Sequence, residues 1–365
     1  MDRRRPAAAA VTRAAEVLRR GGLVAFPTET VYGLGADALR ADAVRRVFAV
    51  KGRPAYDPII VHVSGAPDLA SLASALPEVA LQLAEAFWPG PLTLVVPRAA
   101  HVPDVVTAGL DSVAVRCPAH PVALALLRAF GGPVAAPSAN LFGRASPTTA
   151  AHVVADLGAS IDLVLDAGPC PIGVESTVVD CRSTPPRLLR PGGVPIEDLA
   201  PWSVVPGDAE PGTEARSPGL LPRHYAPEAR LVVARASEPR TGAGAGPAGA
   251  LALAGAALAV EGHRVVLLVA DEDLPLVGAP CPGLSVRSLG SIARPEEVAR
   301  RLYAALRAAD DGGAQIVLVR DFGAAGLAAA VRDRLTRASA GRVVAVEAGA
   351  EAEAVERIVA LARRE

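Results

Sequence analysis

Residues 41–63, ADAVRRVFAVKGRPAYDPIIVHV, decide how the first half of the chain folds. Val44, Val47 and Phe48 recur at the spacing of one helical face, and Gly52 and Pro54 forbid the helix to continue. PIIVHV then follows as an apolar run too short for a helix, the mark of a buried strand. Outward from this stretch the pattern repeats. GLVAFP, LTLVVP, VAVRCP, GPVAAP and IDLVLDAG read as further buried strands, with PEVALQLAEAF and HPVALALLRAF as helices between them. MDRRRPAAAAVTRAAEVLRR reads as an amphipathic helix, because charge returns too soon for a signal sequence. Residues 1–205 are thus expected to form an α/β domain with a mixed sheet.

Residues 206–227 are crowded with proline and glycine, show no period, and read as a linker. Beyond it, GHRVVLLVA, LSVRSLG, AQIVLVRDF and RVVAVEA read as strands, and PEEVARRLYAALRAA and AAGLAAAVRDRLTRA as helices. A smaller, doubly wound, Rossmann-like domain over 228–365 is expected. Within it TGAGAGPAGALALAG is low in complexity and is read as containing a loop. No G-x-G-x-x-G is read after a strand, so no nucleotide is assigned there.

Composition narrows the function. The 365 residues exceed one ordinary core, so two domains fit. A net charge of −1 gives no whole-chain case for nucleic-acid binding, so any basic site must be local. Cys117, Cys170, Cys181 and Cys281 form no C-x-x-C pair and no zinc spacing, which suits free thiols in a reducing cytosol. The most apolar run, GALALAGAALAV, is shorter than the ~20 residues of a membrane span. A cytoplasmic protein with no membrane partner is expected.

Lys51 is the only lysine of the chain, against 36 arginines. At i+7 from Val44 it falls on the inward face of its helix. A snorkelling ammonium or a helix-end cation would explain the position, but arginine serves both roles and the chain otherwise always uses it. A compact point charge on phosphate is the other reading. Arg53 stands two residues on, and two such cations repel unless an anion sits between them. PTETVYGLG (27–35), PSANLFGRASP (137–147), GVESTVVDC (173–181) and RLLRPGGV (187–194) each set hydroxyls, amides or arginine at strand ends. Any one of them is explained by capping or a turn. Together they describe a ligand site at the ends of an α/β sheet.

In this order, PTETVYGLG, KGRP with PIIVHV, FWPGPLT, VAVR, PSAN, GVESTVVD, LLRPGG and SPGLLPRHYAP resemble the threonylcarbamoyl-AMP synthase family in its two-domain form. The resemblance implies a YrdC-like catalytic domain whose twisted, open mixed sheet bends around a concave basic cavity. It also implies that ATP, L-threonine and bicarbonate combine into threonylcarbamoyl-adenylate with loss of pyrophosphate. The product would feed a separate tRNA threonylcarbamoyl-transferase, and direct tRNA binding is left open. Lys51 and Arg53 match the catalytic, nucleotide-contacting pair, with Asp57, Ser112, Ser138, Asn140, Ser146, Arg190 and Tyr225 also on the ATP side. Thr30, His62, Arg116, Ala136 and Ser176 match threonine-contacting positions. Mg2+ is expected to arrive with ATP. Asp57 departs from an asparagine common in the family; it either helps hold a metal or repels phosphate. His62 lies inside an apolar strand, where a hydrogen-bonded core histidine competes with the ligand reading. His101, His120, His152 and His263 are read as structural or surface residues. The linker, carrying His224 and Tyr225, is expected to fold over the cavity. Two rivals remain: a double-stranded RNA or nucleotide-binding module, and a carbamoyl-transfer enzyme with the same cavity.

Overall fold

The computed structural model describes residues 8–207, 224–237, 246–278, 281–347 and 349–364. These fall into two compact units, the first holding 8–142 and 146–207, the second 143–145 and everything from His224 on. Most of the expected linker lies outside the described residues.

Among the described residues the first unit is built on ten strands: β1 (Val24–Phe26), β2 (Gly33–Asp37), β3 (Val61–His62), β4 (Leu92–Pro97), β5 (Ser112–Arg116), β6 (Val134–Ala135), β7 (Leu163–Val164), β8 (Thr177–Asp180), β9 (Arg187–Arg190) and β10 (Val205–Pro206). They pair in the order β10-β9-β8-β4-β5-β3-β6-β2-β1-β7, a mixed sheet as expected. The six strands read from apolar runs are all present. Within PTETVYGLG the turn is followed by a strand, β2, that its glycines conceal. Gly35 is required there, since a Cβ would come within 2.8–2.9 Å of Val134 and Phe26.

Alternation along the strands divides the core. Leu23 and Ala25 enter one apolar cluster with the helix Ala41–Lys51, while Val24 and Phe26 enter another with the helices Ala8–Arg19 and Pro121–Phe130. The helix Ala41–Lys51 buries Val44, Val47, Phe48 and Lys51 and ends on left-handed Gly52 (φ 62°). Arg53 N–H closes it by donating to Phe48 O at 3.0 Å, the six-to-one bond of a glycine-capped helix end.

The second unit carries β11 (Arg230–Ala236), β12 (Val265–Val269), β13 (Leu284–Ser288), β14 (Ile316–Arg320) and β15 (Val343–Val346), all parallel, in the order β13-β12-β14-β11-β15. Two expectations change. Gly246–Val260 is a helix, since Ala and Leu outweigh its glycines, so the loop expected within 241–255 is left only residues 241–245, which lie outside the description. Gly244–Gly249 does spell G-x-G-x-x-G, and β11, concealed in EARLVVARA, precedes it. Its spacing from the strand and the strand order are not those of a dinucleotide site. Ser237 to Ala243 separate it from the strand where a tight turn is needed, and β14 lies between β11 and β12. Among the described residues no helix is long and apolar enough to cross a membrane.

Candidate active site

Register places the predicted residues on one face of the first sheet. His62 on β3 lies opposite Arg116 on β5, and Arg190 on β9 lies opposite Val178 on β8, which is itself opposite Thr93 on β4. Ile60, Val95, Ala114 and Val178 form a small apolar floor on this face. Ser112 and Arg116 stand at the two ends of the same side of β5.

The Lys51 ammonium is buried and donates to Ser138 O at 2.6 Å and to Asn140 O at 2.5 Å. The PSAN loop is thereby clamped to the helix end, and Phe142 N–H adds a bond to Lys51 O at 2.8 Å. Burial first, and then the Arg53 charge, press the Lys51 pKa well below its usual range, with Asp57 and Asp156 opposing. Arg53 donates to Asp57 O (3.0 Å) and Pro58 O (2.7 Å). The anion expected between the two cations is partly supplied by the chain itself. Asp57 Oδ1 lies 2.9 Å from Arg53 Nη2, although neither carboxylate oxygen is in hydrogen-bond alignment. Burial raises the Asp57 pKa against the pull of Arg53, Lys51 and Arg190. Four predicted residues are thus within electrostatic reach of one another.

Arg190 donates to Ser176 O at 2.9 Å and to Ser176 Oγ at 3.2 Å, and Ser176 Oγ is 2.8 Å from Thr93 Oγ1. A residue matched to the nucleotide therefore touches one matched to threonine. Gly192 allows this approach, because a Cβ there would lie 2.2 Å from the Ser176 carbonyl carbon. Ser146 is fully buried and donates to Glu175 Oε1 at 2.5 Å.

Arg116 is buried and uses its whole guanidinium: Nε on Gly90 O (3.2 Å), Nη1 on Thr30 Oγ1 (2.9 Å) and Nη2 on Glu29 Oε1 (2.6 Å). Thr30 Oγ1 is also 2.7 Å from Thr28 Oγ1, which accepts the Thr30 and Val31 N–H groups and so fixes the turn after β1. His62 is buried edge-on to Phe26, with Nδ1 unbonded. Burial, and then Arg116, push its pKa down to about 3, so it is a neutral imidazole rather than a cation. Ala136 N–H donates to Ile60 O (2.9 Å), fixing that backbone beside β3. Ser112 is buried at the far end of β5. Tyr225 belongs to the second unit, buried beside His224, Tyr303 and the Arg334 guanidinium. His120 caps the helix Pro121–Phe130, a structural role as read.

Sequence reasoning missed Glu29, Glu175, Thr28 and Thr93. The two glutamates sat inside PTET and GVEST, and the signal available was an acid among hydroxyls at an apolar strand end, where burial demands a partner.

Fold and site define a two-domain α/β protein whose basic, hydroxyl-rich strand ends suit an anionic ligand. The chain belongs to the threonylcarbamoyl-AMP synthase family. Residues 16–192 match the family described as "Telomere recombination", and 194–340 match "Threonylcarbamoyl-AMP synthase, C-terminal domain". The threonylcarbamoyl-AMP synthase of Pyrococcus abyssi is 42% identical over 344 residues, covering 91% of this chain and 95% of that protein. That of Bacillus subtilis is 41% identical over 343 residues, covering 92% and 94%. The crystal structure of P. abyssi Sua5 complexed with L-threonine aligns with TM-score 0.85 at 42% identity, over 94% of this chain and 97% of that one.

Proposed function

We infer that the chain joins L-threonine, bicarbonate and ATP into threonylcarbamoyl-adenylate and releases pyrophosphate. The observation that carries this is the contact of Arg190 with Ser176, which joins a phosphate-side cation to an amino-acid-side hydroxyl. Threonine and bicarbonate first give a carbamate, whose oxygen then displaces pyrophosphate at the α-phosphorus. Positioning and charge neutralisation carry such a step, with little covalent work for the protein. Lys51, Arg53 and Arg190 neutralise the phosphates; Ser112, Ser138, Asn140 and Ser146 seat the nucleotide. Arg116 holds the threonine carboxylate with its planar fork, beside Thr30, Ser176, neutral His62 and the Ala136 backbone.

Magnesium arriving with ATP would keep most of its ligands as water and phosphate and so depend little on the chain; Asp57, beside these cations, is the one carboxylate placed to approach it. Among the described residues no cluster of three or more His, Cys, Asp and Glu forms a metal cage of its own. The ion would add charge neutralisation on the phosphates. Asp57→Asn keeps an oxygen facing Arg53 and removes one negative charge from the phosphate side. We expect kcat within about threefold of the parent, a barrier change under ~1 kcal/mol. Steady-state kinetics in ATP checks this, and a loss of about a hundredfold would give the charge itself a role.

Residues 206–227 serve as the linker between the domains 1–205 and 228–365; Tyr225 is its residue matched to the nucleotide, and the segment's role is to keep water from a labile mixed anhydride. A cytoplasmic tRNA threonylcarbamoyl-transferase takes the product. Pyrophosphate release that requires both threonine and bicarbonate is the expected result. ATP turnover indifferent to both would move the chain to a nucleotide-binding or different carbamoyl-transfer role, and steeply salt-dependent RNA binding would favour the RNA module.

A further inference from the structure

Carbamate formation needs a neutral amine, yet threonine arrives near neutral pH as a zwitterion. Something must take the proton of its ammonium. Ser176 and Thr30 offer hydroxyls, which are not bases at this pH, and His62 has its proton affinity suppressed by burial. Glu29 remains. Its residue is 7% exposed, its Oε1 accepts from Arg116, and its Oε2 is buried with no hydrogen-bond partner. A buried carboxylate oxygen without a donor is costly and calls for a function.

The guanidinium explains how it would work. Nη1 and Nη2 of Arg116, the edge that a ligand carboxylate takes in two places, hold Thr30 Oγ1 and Glu29 Oε1 in this structure. A carboxylate ligand on that edge must displace or share with Glu29. The nitrogen of an α-amino acid lies within about 3 Å of its own carboxylate oxygens by covalent geometry, so the ammonium arrives beside the carboxylate just displaced. A buried carboxylate that has lost a cationic partner binds a proton more tightly.

We propose that Glu29 is the proton acceptor of the carbamoylation step, exchanging its place on Arg116 with the threonine carboxylate and then receiving the ammonium proton through Oε2. This rests on the assignment of the Arg116 fork to threonine made above. The step balances. The ammonium N–H bond breaks, its electron pair stays on nitrogen, and the proton goes to Glu29. The neutral amine then attacks the bicarbonate carbon and an N–C bond forms; a second N–H bond breaks, its proton joins the hydroxide released as C–O breaks, and water leaves, giving the carbamate anion. Glu29 returns its proton to solvent at product release. The titratable groups around Glu29 are Arg116 and Cys117 at the end of β5, His120 at the following helix start, and Cys170. Burial holds both thiols up and His120 down, so none of the three competes as a charged group near pH 7.

Glu29→Gln preserves an oxygen for Arg116 and removes the base. Threonine-dependent pyrophosphate release at pH 7 should fall about 10²–10⁴-fold. It should then climb about tenfold per pH unit toward pH 9, as solvent supplies the free amine. Glu29→Asp, which restores a carboxylate, should recover much of the rate with a level profile. A Glu29→Gln rate within about threefold of the parent, or a loss equal at every pH, overturns the proposal. A measurement on the unaltered chain guards against a variant that fails to fold: kcat/KM for threonine should stay level from pH 7 to 9. A rise of about tenfold per unit there means only free amine is used, and overturns it. If the parent releases pyrophosphate without needing threonine, the synthase reading itself has failed; a threonine-dependent parent with an unaffected Glu29→Gln sinks only this inference.

Discussion

Arginine in place of Lys51 will lower pyrophosphate release by about a hundredfold or more, comparable to losing one preorganised donor at a transition state. The substitution keeps the charge, so simple electrostatics predicts little change. Geometry predicts otherwise. An ammonium has three protons, and two of those on Lys51 go to Ser138 O and Asn140 O at 2.6 and 2.5 Å. The third is available to a phosphate oxygen. A guanidinium in this buried space must either push the 138–140 loop outward or point its fork elsewhere. Thermal melting alongside kinetics separates the two losses: a folded variant with crippled turnover is the expected result, and parental turnover would refute the role of the ammonium. Burial, which depresses the Lys51 pKa, adds a sign to test. As pH rises through that lowered value the free enzyme loses the ammonium, so KM for ATP should climb on the alkaline side earlier than an exposed lysine would allow.

How much of this was legible in the residues depends on what each residue had to declare. Lys51 declared itself twice, by its helical phase and by being the only lysine, and the structure buries it where the phase put it. The six apolar strands of the first unit were equally plain, because strands covered on both faces are written as unbroken Val, Ile, Leu and Ala runs. Strand β2 was not, since close packing against Phe26 and Val134 demands glycine where strand propensity would place a branched residue. Strand β11 and the helix Gly246–Val260 were masked by neighbouring charge and glycine. In the site, the cations and hydroxyls announced a ligand, whereas the acids that hold them did not. Asp57 on Arg53, Glu29 on Arg116 and Glu175 on Ser146 are pairings made across 4, 87 and 29 residues of chain, and only the first is close enough in sequence to infer. Long-range pairing of buried charge is set by strand order, and strand order is what a single sequence declares least.

Arg116 is where that pairing has the largest consequence for stability as well as for substrate. Arg116→Met removes the cation from a buried ion pair and leaves the Glu29 carboxylate with neither charge nor hydrogen bond, a change that costs about 3–5 kcal/mol. Arg116→Lys keeps a charge but loses the planar edge and the bonds of the guanidinium to Gly90 O and Thr30 Oγ1. The lysine variant should therefore fold and show its defect in threonine, with KM raised by about 10–100-fold and a smaller change in KM for ATP, the signature of lost ground-state positioning. The double variant Arg116→Met/Glu29→Gln separates the two roles. Neutralising both partners removes the unpaired charge, so much of the lost stability should return in denaturant melts, while threonine-dependent turnover stays absent. If the double variant is no more stable than Arg116→Met alone, the pair does not hold this part of the sheet together. If Arg116→Lys binds threonine as the parent does, the fork is not where the amino acid's carboxylate sits.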